Sequence, residues 1–171
     1  MNIGYFKFIN NRDSYISGLL IVDNRGIPIE FKYTNEIIPS KKQKLLYGTT
    51  LKSYLKEELM FKNLVTSLEN IVDIVIVDSI EDISLNKYID NKVVVIRKTQ
   101  ERQLKDLKEF QFVAKDELLY QYEEKENPIR VIFKEEFSEE IIDILNEIKI
   151  EDILEPINRI EEVLNEICNG N

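Results

Sequence analysis

The chain has 171 residues, enough for one domain of ordinary size, with 32 acidic side chains against 23 basic ones and a net charge of −9. It contains no histidine, no tryptophan and a single cysteine, Cys168. That excludes Ser-His-Asp and Cys-His catalysis, His-ligated zinc, copper or haem, zinc fingers, cysteine-ligated iron–sulfur clusters and any intramolecular disulfide.

In chain order, the aromatic-rich IGYFKF at 3–8 reads as a strand, NNRDS as a turn and YISGLLIV at 15–22 as a second strand. DNRG follows, with Gly26 free to take a positive φ. IPIEFKYT then alternates Ile27, Ile29, Phe31 and Tyr33 with polar residues and Pro28, the period of a half-buried strand that begins or lies at a sheet edge. These last two runs form a β-hairpin. PSKKQKLLYG is the richest basic stretch, with Lys41, Lys42 and Lys44, and reads as a solvated helix start. Leu51, Leu55, Leu59, Met60, Leu64 and Leu68 mark the apolar face of one long helix, capped by Thr49 or Thr50.

IVDIVIVD at 71–78 is continuously apolar up to Asp78, as in a central strand covered on both faces. Residues 79–91 read as a loop, with room for a helical turn, and KVVVIRK at 92–98 as a further strand. TQERQLKDLKEF is a polar link, FQFVAK a short strand, and PIRVIFK at 128–134 another strand. DELLYQYEEKEN between them is charged and has no decided pattern. FSEEIIDILNEIK is a helix with Ser138 at its N-cap and Phe137 against Ile142 as a hydrophobic staple. In the last helix Pro156 suits an early turn, and Ile153, Ile157, Ile160, Leu164 and Ile167 keep heptad spacing.

The expected fold is α/β or α+β: a mixed, largely antiparallel sheet with an N-terminal hairpin, one long central helix and a C-terminal helical hairpin. Residues 1–134 form the sheet domain, and 135–171 form a helical segment docked on it or on a partner.

Four places invite function. Asp78, Glu81 and Asp82 end a buried strand, where ligands collect in open α/β sheets, and oxygen ligands suit magnesium. Tyr47, Gly48, Thr49 and Thr50 precede the long helix, whose N-terminus can hold an anion. The chain has no glycine-rich phosphate loop, so this reads as a capped helix start with Tyr47 packed on it. The stripe Ile153, Ile157, Ile160, Leu164 and Ile167 is a candidate partner interface. The strand-turn-strand GLLIVDNRGIPIEF resembles the opening of profilin-like and roadblock-type regulatory domains, which implies a small-ligand sensor.

The order of three strands, a helix and a strand resembles the ribonuclease H-like nuclease fold. That resemblance implies two metal ions held by acids on the first strand, the following helix and the fourth strand. Asp78 matches the last of these and Glu57 or Glu58 the helix acid. IGYFKF has no acid, and Asp23, the nearest substitute, belongs to a turn. The stretch from GLLIVDNRGIPIEF through LYGTTLKSYL is also similar to an uncharacterised family of small bacterial proteins, which implies a bacterial origin and supplies no catalytic residue.

Subtraction favours a non-catalytic interaction or scaffolding protein, a subunit or homo-oligomer that needs no cofactor and has a protein or itself as partner. An acidic surface repels phosphate, so nucleic acid is not an expected partner. The alternative is a magnesium-dependent phosphodiesterase or nuclease using Asp78 with Glu57, Glu58, Glu81 or Asp82. The absence of a signal peptide and of a long apolar run, with the lone thiol, points to the cytoplasm and to no membrane.

Overall fold

The computed structural model describes residues 1–89 and 92–170. Among these residues eight strands form one mixed, largely antiparallel sheet in the order β3-β2-β1-β4-β5-β8-β7-β6. β1 (Asn2–Asn11), β2 (Ser14–Asp23) and β3 (Pro28–Tyr33) are consecutive antiparallel neighbours. Gly26, at φ +84°, closes the β2–β3 hairpin, and the Asp23 carboxylate accepts hydrogen bonds from the N–H groups of Arg25 and Ile27. Pro28, which has no N–H, opens β3, the edge strand. β4 (Ile74–Val77) runs parallel to β1, and β5 (Lys92–Lys98) runs parallel to β4. β6 (Phe110–Ala114), β7 (Glu117–Tyr120) and β8 (Ile129–Ile132) complete the sheet with antiparallel pairs.

Between β3 and β4 lies the helical layer. α1 (Lys41–Tyr47) has Ser40 as N-cap in a full capping box with Gln43. Gly48, at φ +52°, ends it and opens a 3-10 turn (Gly48–Thr50) that runs into α2 (Leu51–Tyr54). A π-helical stretch, Leu55–Phe61, leads into α3 (Lys62–Thr66). Leu55 and Met60 are both buried five residues apart, the repeat of a π turn, so Leu59 is turned outward. A 3-10 segment, Ile80–Tyr88, fills most of the expected loop, and the last two residues of that loop, 90 and 91, lie outside the described residues.

α4 (Glu140–Glu147) starts later than the sequence suggests. A 3-10 turn at Glu135–Phe137 precedes it, and the Ser138 hydroxyl caps nothing. α5 (Glu155–Asn169) carries Pro156 in its first turn.

Strand alternation divides the core between the two faces. Ile3, Tyr5, Ile74 and Ile76 pack with Ile141, Leu145, Ile157, Ile160 and Leu164 of α4 and α5. Phe6, Val75 and Val77 pack on the other face with Phe61 and Leu64. Ile153, Ile157, Ile160 and Leu164 are therefore covered by the chain's own sheet, and Ile167 is half-buried against the same core. Among the described residues no helix is long and apolar enough to cross a membrane.

Candidate functional site

β1 and β4 are parallel, with Tyr5 opposite Ile76, so two residues further on Lys7 faces Asp78. Both follow the alternation of the α5 side. The Lys7 ammonium donates to Asp78 Oδ2 at 2.7 Å and lies 3.3 Å from Glu161 Oε2 of α5. A glycine makes this approach possible. Gly18 of β2 pairs with Lys7, and a Cβ there would stand 2.9 Å from the Ile160 side chain. The helix thus presses on β2 at Ile160, and the next residue, Glu161, reaches across to Lys7. Burial pulls the Lys7 ammonium down, but hydrogen bonding and attraction to Asp78, with Glu161, outweigh it and hold its pKa above the ordinary lysine value.

A second pair lies on the other face. Lys56, in the π-helical stretch, is bonded to Asp82 of the 3-10 segment, with both side chains buried. Burial raises the Asp82 carboxyl above the ordinary range. Lys56 opposes that, and the charges of Asp78 and Glu81 add to it. Glu81 is exposed and reaches Lys56 at 3.8 Å and Lys52 at 4.0 Å. The Lys56 ammonium lies 5.9 Å from the centroid of the Phe8 ring.

The structure separates the other sequence candidates. Glu57 binds Lys87 at 2.6 Å and Ser84 at 3.1 Å, and Glu58 accepts from Tyr88 at 2.5 Å. Both thus serve the helix face, whereas Asp78 turns to the α5 face. Asp23 is paired with Asn2, at the far end of β1 from Lys7. Thr50 makes no capping bond to the helix, and Tyr47 stacks on Tyr54 at 4.8 Å.

Three participants, Lys7, Lys56 and Glu161, escape sequence reasoning. Lys7 did leave a signal: it follows Ile3 and Tyr5 at period two, an inward position for a charged residue.

No family model and no curated protein matches the sequence. Solved structures do. Two structures of Ciona intestinalis endonuclease V, bound to DNA containing an inosine followed by a ribo-adenosine, match over 99% of this chain and 86% of theirs. The TM-scores are 0.59 and 0.63, at 13% and 11% identity. Endonuclease V of Bacillus subtilis matches with a TM-score of 0.51 and 11% identity over 77% of this chain, which spans only 63% of that protein. The chain shares the fold of endonuclease V.

That fold overturns three expectations. The non-catalytic scaffold, whether subunit or self-assembling oligomer, was inferred from missing residue types, and the fold is instead one that solved nucleases use. The expectation that nucleic acid is no partner fails because two of the matching structures hold DNA. Net charge misled here. Residues 135–171 carry twelve acids and two bases, so the rest of the chain is close to neutral. The expectation of no cofactor, which stood beside a ribonuclease H-like resemblance implying two metal ions, falls with the scaffold, because the fold is one that solved endonucleases use. The residues, as arranged, do not fit a two-metal centre. The first strand offers an ammonium where that resemblance needs an acid, and no group of three or more carboxylates converges among the described residues. A cation at Asp78 would have to displace Lys7.

Proposed function

We propose that this chain is a nucleic-acid-directed protein on a nuclease fold, which engages a phosphodiester at the carboxyl end of β4, beside the middle of β1. The observation that carries this reading is the Lys7 ammonium held beside Asp78 at that end of the sheet. An ammonium has three donors, and Asp78 and Glu161 occupy two of them, which leaves one for a phosphate oxygen. Asp78 is 37% exposed, so the pair is open to solvent. The likeness to endonuclease V across nearly the whole chain supports the substrate class. The lone Cys168 supports placement in a reducing cytoplasm.

The test is fluorescence anisotropy with a labelled DNA oligonucleotide containing an inosine followed by a ribo-adenosine, beside the same strand without inosine. Binding at low salt is expected. A charge-assisted hydrogen bond contributes about 1.5–3 kcal/mol, so Lys7→Ala weakens binding roughly ten- to hundredfold. No binding of either strand at low salt overturns the proposal.

A second reading, magnesium-dependent cleavage, is favoured by the same full-length likeness. It predicts shortened products on a denaturing gel when magnesium is added, lost in Asp78→Ala. Intact strands at every magnesium concentration dispose of it.

A further inference from the structure

Residues 37–56 contain five lysines, Lys41, Lys42, Lys44, Lys52 and Lys56, and no acid, within a chain of net charge −9. None of the α1 residues is buried, and Leu45 and Leu46 are 76% and 77% exposed. Such a helix contributes nothing to the core, yet it is held in place. Its capping box closes its start, Lys44 bonds Asp13 at 2.5 Å, and Tyr47 stacks on Tyr54 while the residue stays 38% exposed. Asp13 lies in the turn that follows β1, six residues beyond Lys7. From there α2 and the π-helical stretch lead through Lys52 to Lys56, which meet Glu81 and Asp82 just beyond β4. Cations and exposed apolar surface thus run along the helical layer as far as the Lys56–Asp82 pair, on the opposite face of the sheet from Lys7.

We propose that α1 and its junction with α2 form a docking track for single-stranded nucleic acid, a proposal that rests on the function proposed above. Lys41, Lys42 and Lys52 face the phosphates, and the Tyr47 ring with Leu45 and Leu46 offers a platform for bases. Five lysines with no acid among them complement a phosphate backbone, and the exposed Tyr47 beside them offers the stacking face that flat bases fill. A track that reads backbone charge and the flat face of any base is indifferent to sequence.

The test is anisotropy of a fluorescein-labelled oligothymidylate across a salt series. Each phosphate contact on a single strand contributes about 0.7 to the slope of log affinity against log salt, so Lys41→Ala plus Lys42→Ala flattens it by about 1.4. Tyr47→Ala weakens binding about tenfold, within the range of one base–aromatic stack. Neither change touches a buried residue, and an unchanged melting curve confirms that both variants fold.

If the unaltered protein binds no oligonucleotide, the function proposed above falls together with the track. If it binds, and Lys7→Ala weakens binding while the α1 variants keep both slope and affinity, the track alone is overturned. A dimer in sedimentation that Leu45→Asp plus Leu46→Asp disperses, with oligonucleotide affinity unchanged, also overturns it and assigns the surface to a second copy.

Discussion

Lys56 and Asp82 have been taken out of water together, and each is tolerable only because of the other. Their side chains are 6% and 7% exposed. Losing one partner leaves a buried charge uncompensated, which costs about 3–5 kcal/mol, whereas an apolar pair of similar volume is often neutral or better. Asp82→Ala is therefore expected to lower the urea midpoint sharply, and Lys56→Met with Asp82→Leu to recover most of the loss. If the double variant is no better than the single one, the pair acts through something other than mutual neutralisation. Glu57 provides a pH test. Burial pushes its carboxyl up, but hydrogen bonds from Lys87 and Ser84 and the charges of Lys87 and Lys56 prevail and hold it below its ordinary value of 4.5. As pH falls, the unfolded chain takes up that proton first, so the stabilisation is present above the unfolded value and fades as pH drops through the folded one. The gap in melting temperature between the protein and Glu57→Gln should be widest near neutrality and close in acid. A gap that grows in acid would show the sign to be wrong. At this scale the sequence conveyed only half of the site. Asp78, Glu81 and Asp82 stand out because acids end an apolar run, but their lysine partners lie 71 and 26 positions away in sequence and only the fold joins them.

Helix α5 and strand β2 meet at Gly18, where the Cβ of an alanine would stand 2.9 Å from Ile160 and 3.0 Å from Phe31. Overpacking of this kind costs about 1–3 kcal/mol. Gly18→Ala is expected to lower the melting temperature and, by lifting α5, to loosen Glu161 from Lys7. Its oligonucleotide affinity should change along with its stability, and a variant with unaltered melting would show that the helix has room to yield. The elements themselves were largely readable. Aromatic content gave β1, period two gave β3, a continuous apolar run gave β4, Gly26 and Pro28 gave the hairpin, and the apolar stripe gave α5. The π-helical stretch was not readable, because Leu59 and Met60 both fit an apolar face and only packing decides which turns in. Strand β7 was hidden by flanking charges, since its buried Leu118, Leu119 and Tyr120 form too short a run for its period to show. The Ser138 cap failed because a 3-10 turn at Glu135–Phe137 took up the chain before the hydroxyl could serve the helix.

For the molecule as a whole, the position of charge matters more than its sum. The lysine-rich stretch 37–56 and the acid-rich segment 135–171 lie on separate elements, and through Glu161 the acidic one touches the candidate centre. A strand approaching Lys7 is drawn by one region and repelled by the other. Glu162 and Glu166 are exposed on α5 beyond Glu161 and make no ion pair among the described residues, so they act on an incoming phosphate through solvent. At a separation on the order of 12 Å in water, one charge pair is worth about 0.35 kcal/mol, so neutralising two carboxylates changes the encounter by roughly threefold. Glu162→Gln plus Glu166→Gln should raise the association rate for an oligonucleotide by about that factor at low salt. The gain should vanish near 1 M salt, where the screening length falls to about 3 Å. Because neither side chain touches the centre, the dissociation rate should stay the same. Stopped-flow anisotropy separates the two rates. A gain confined to the dissociation rate, or one that persists in high salt, would mean that these acids meet the nucleic acid directly and that the strand runs along α5 rather than along α1.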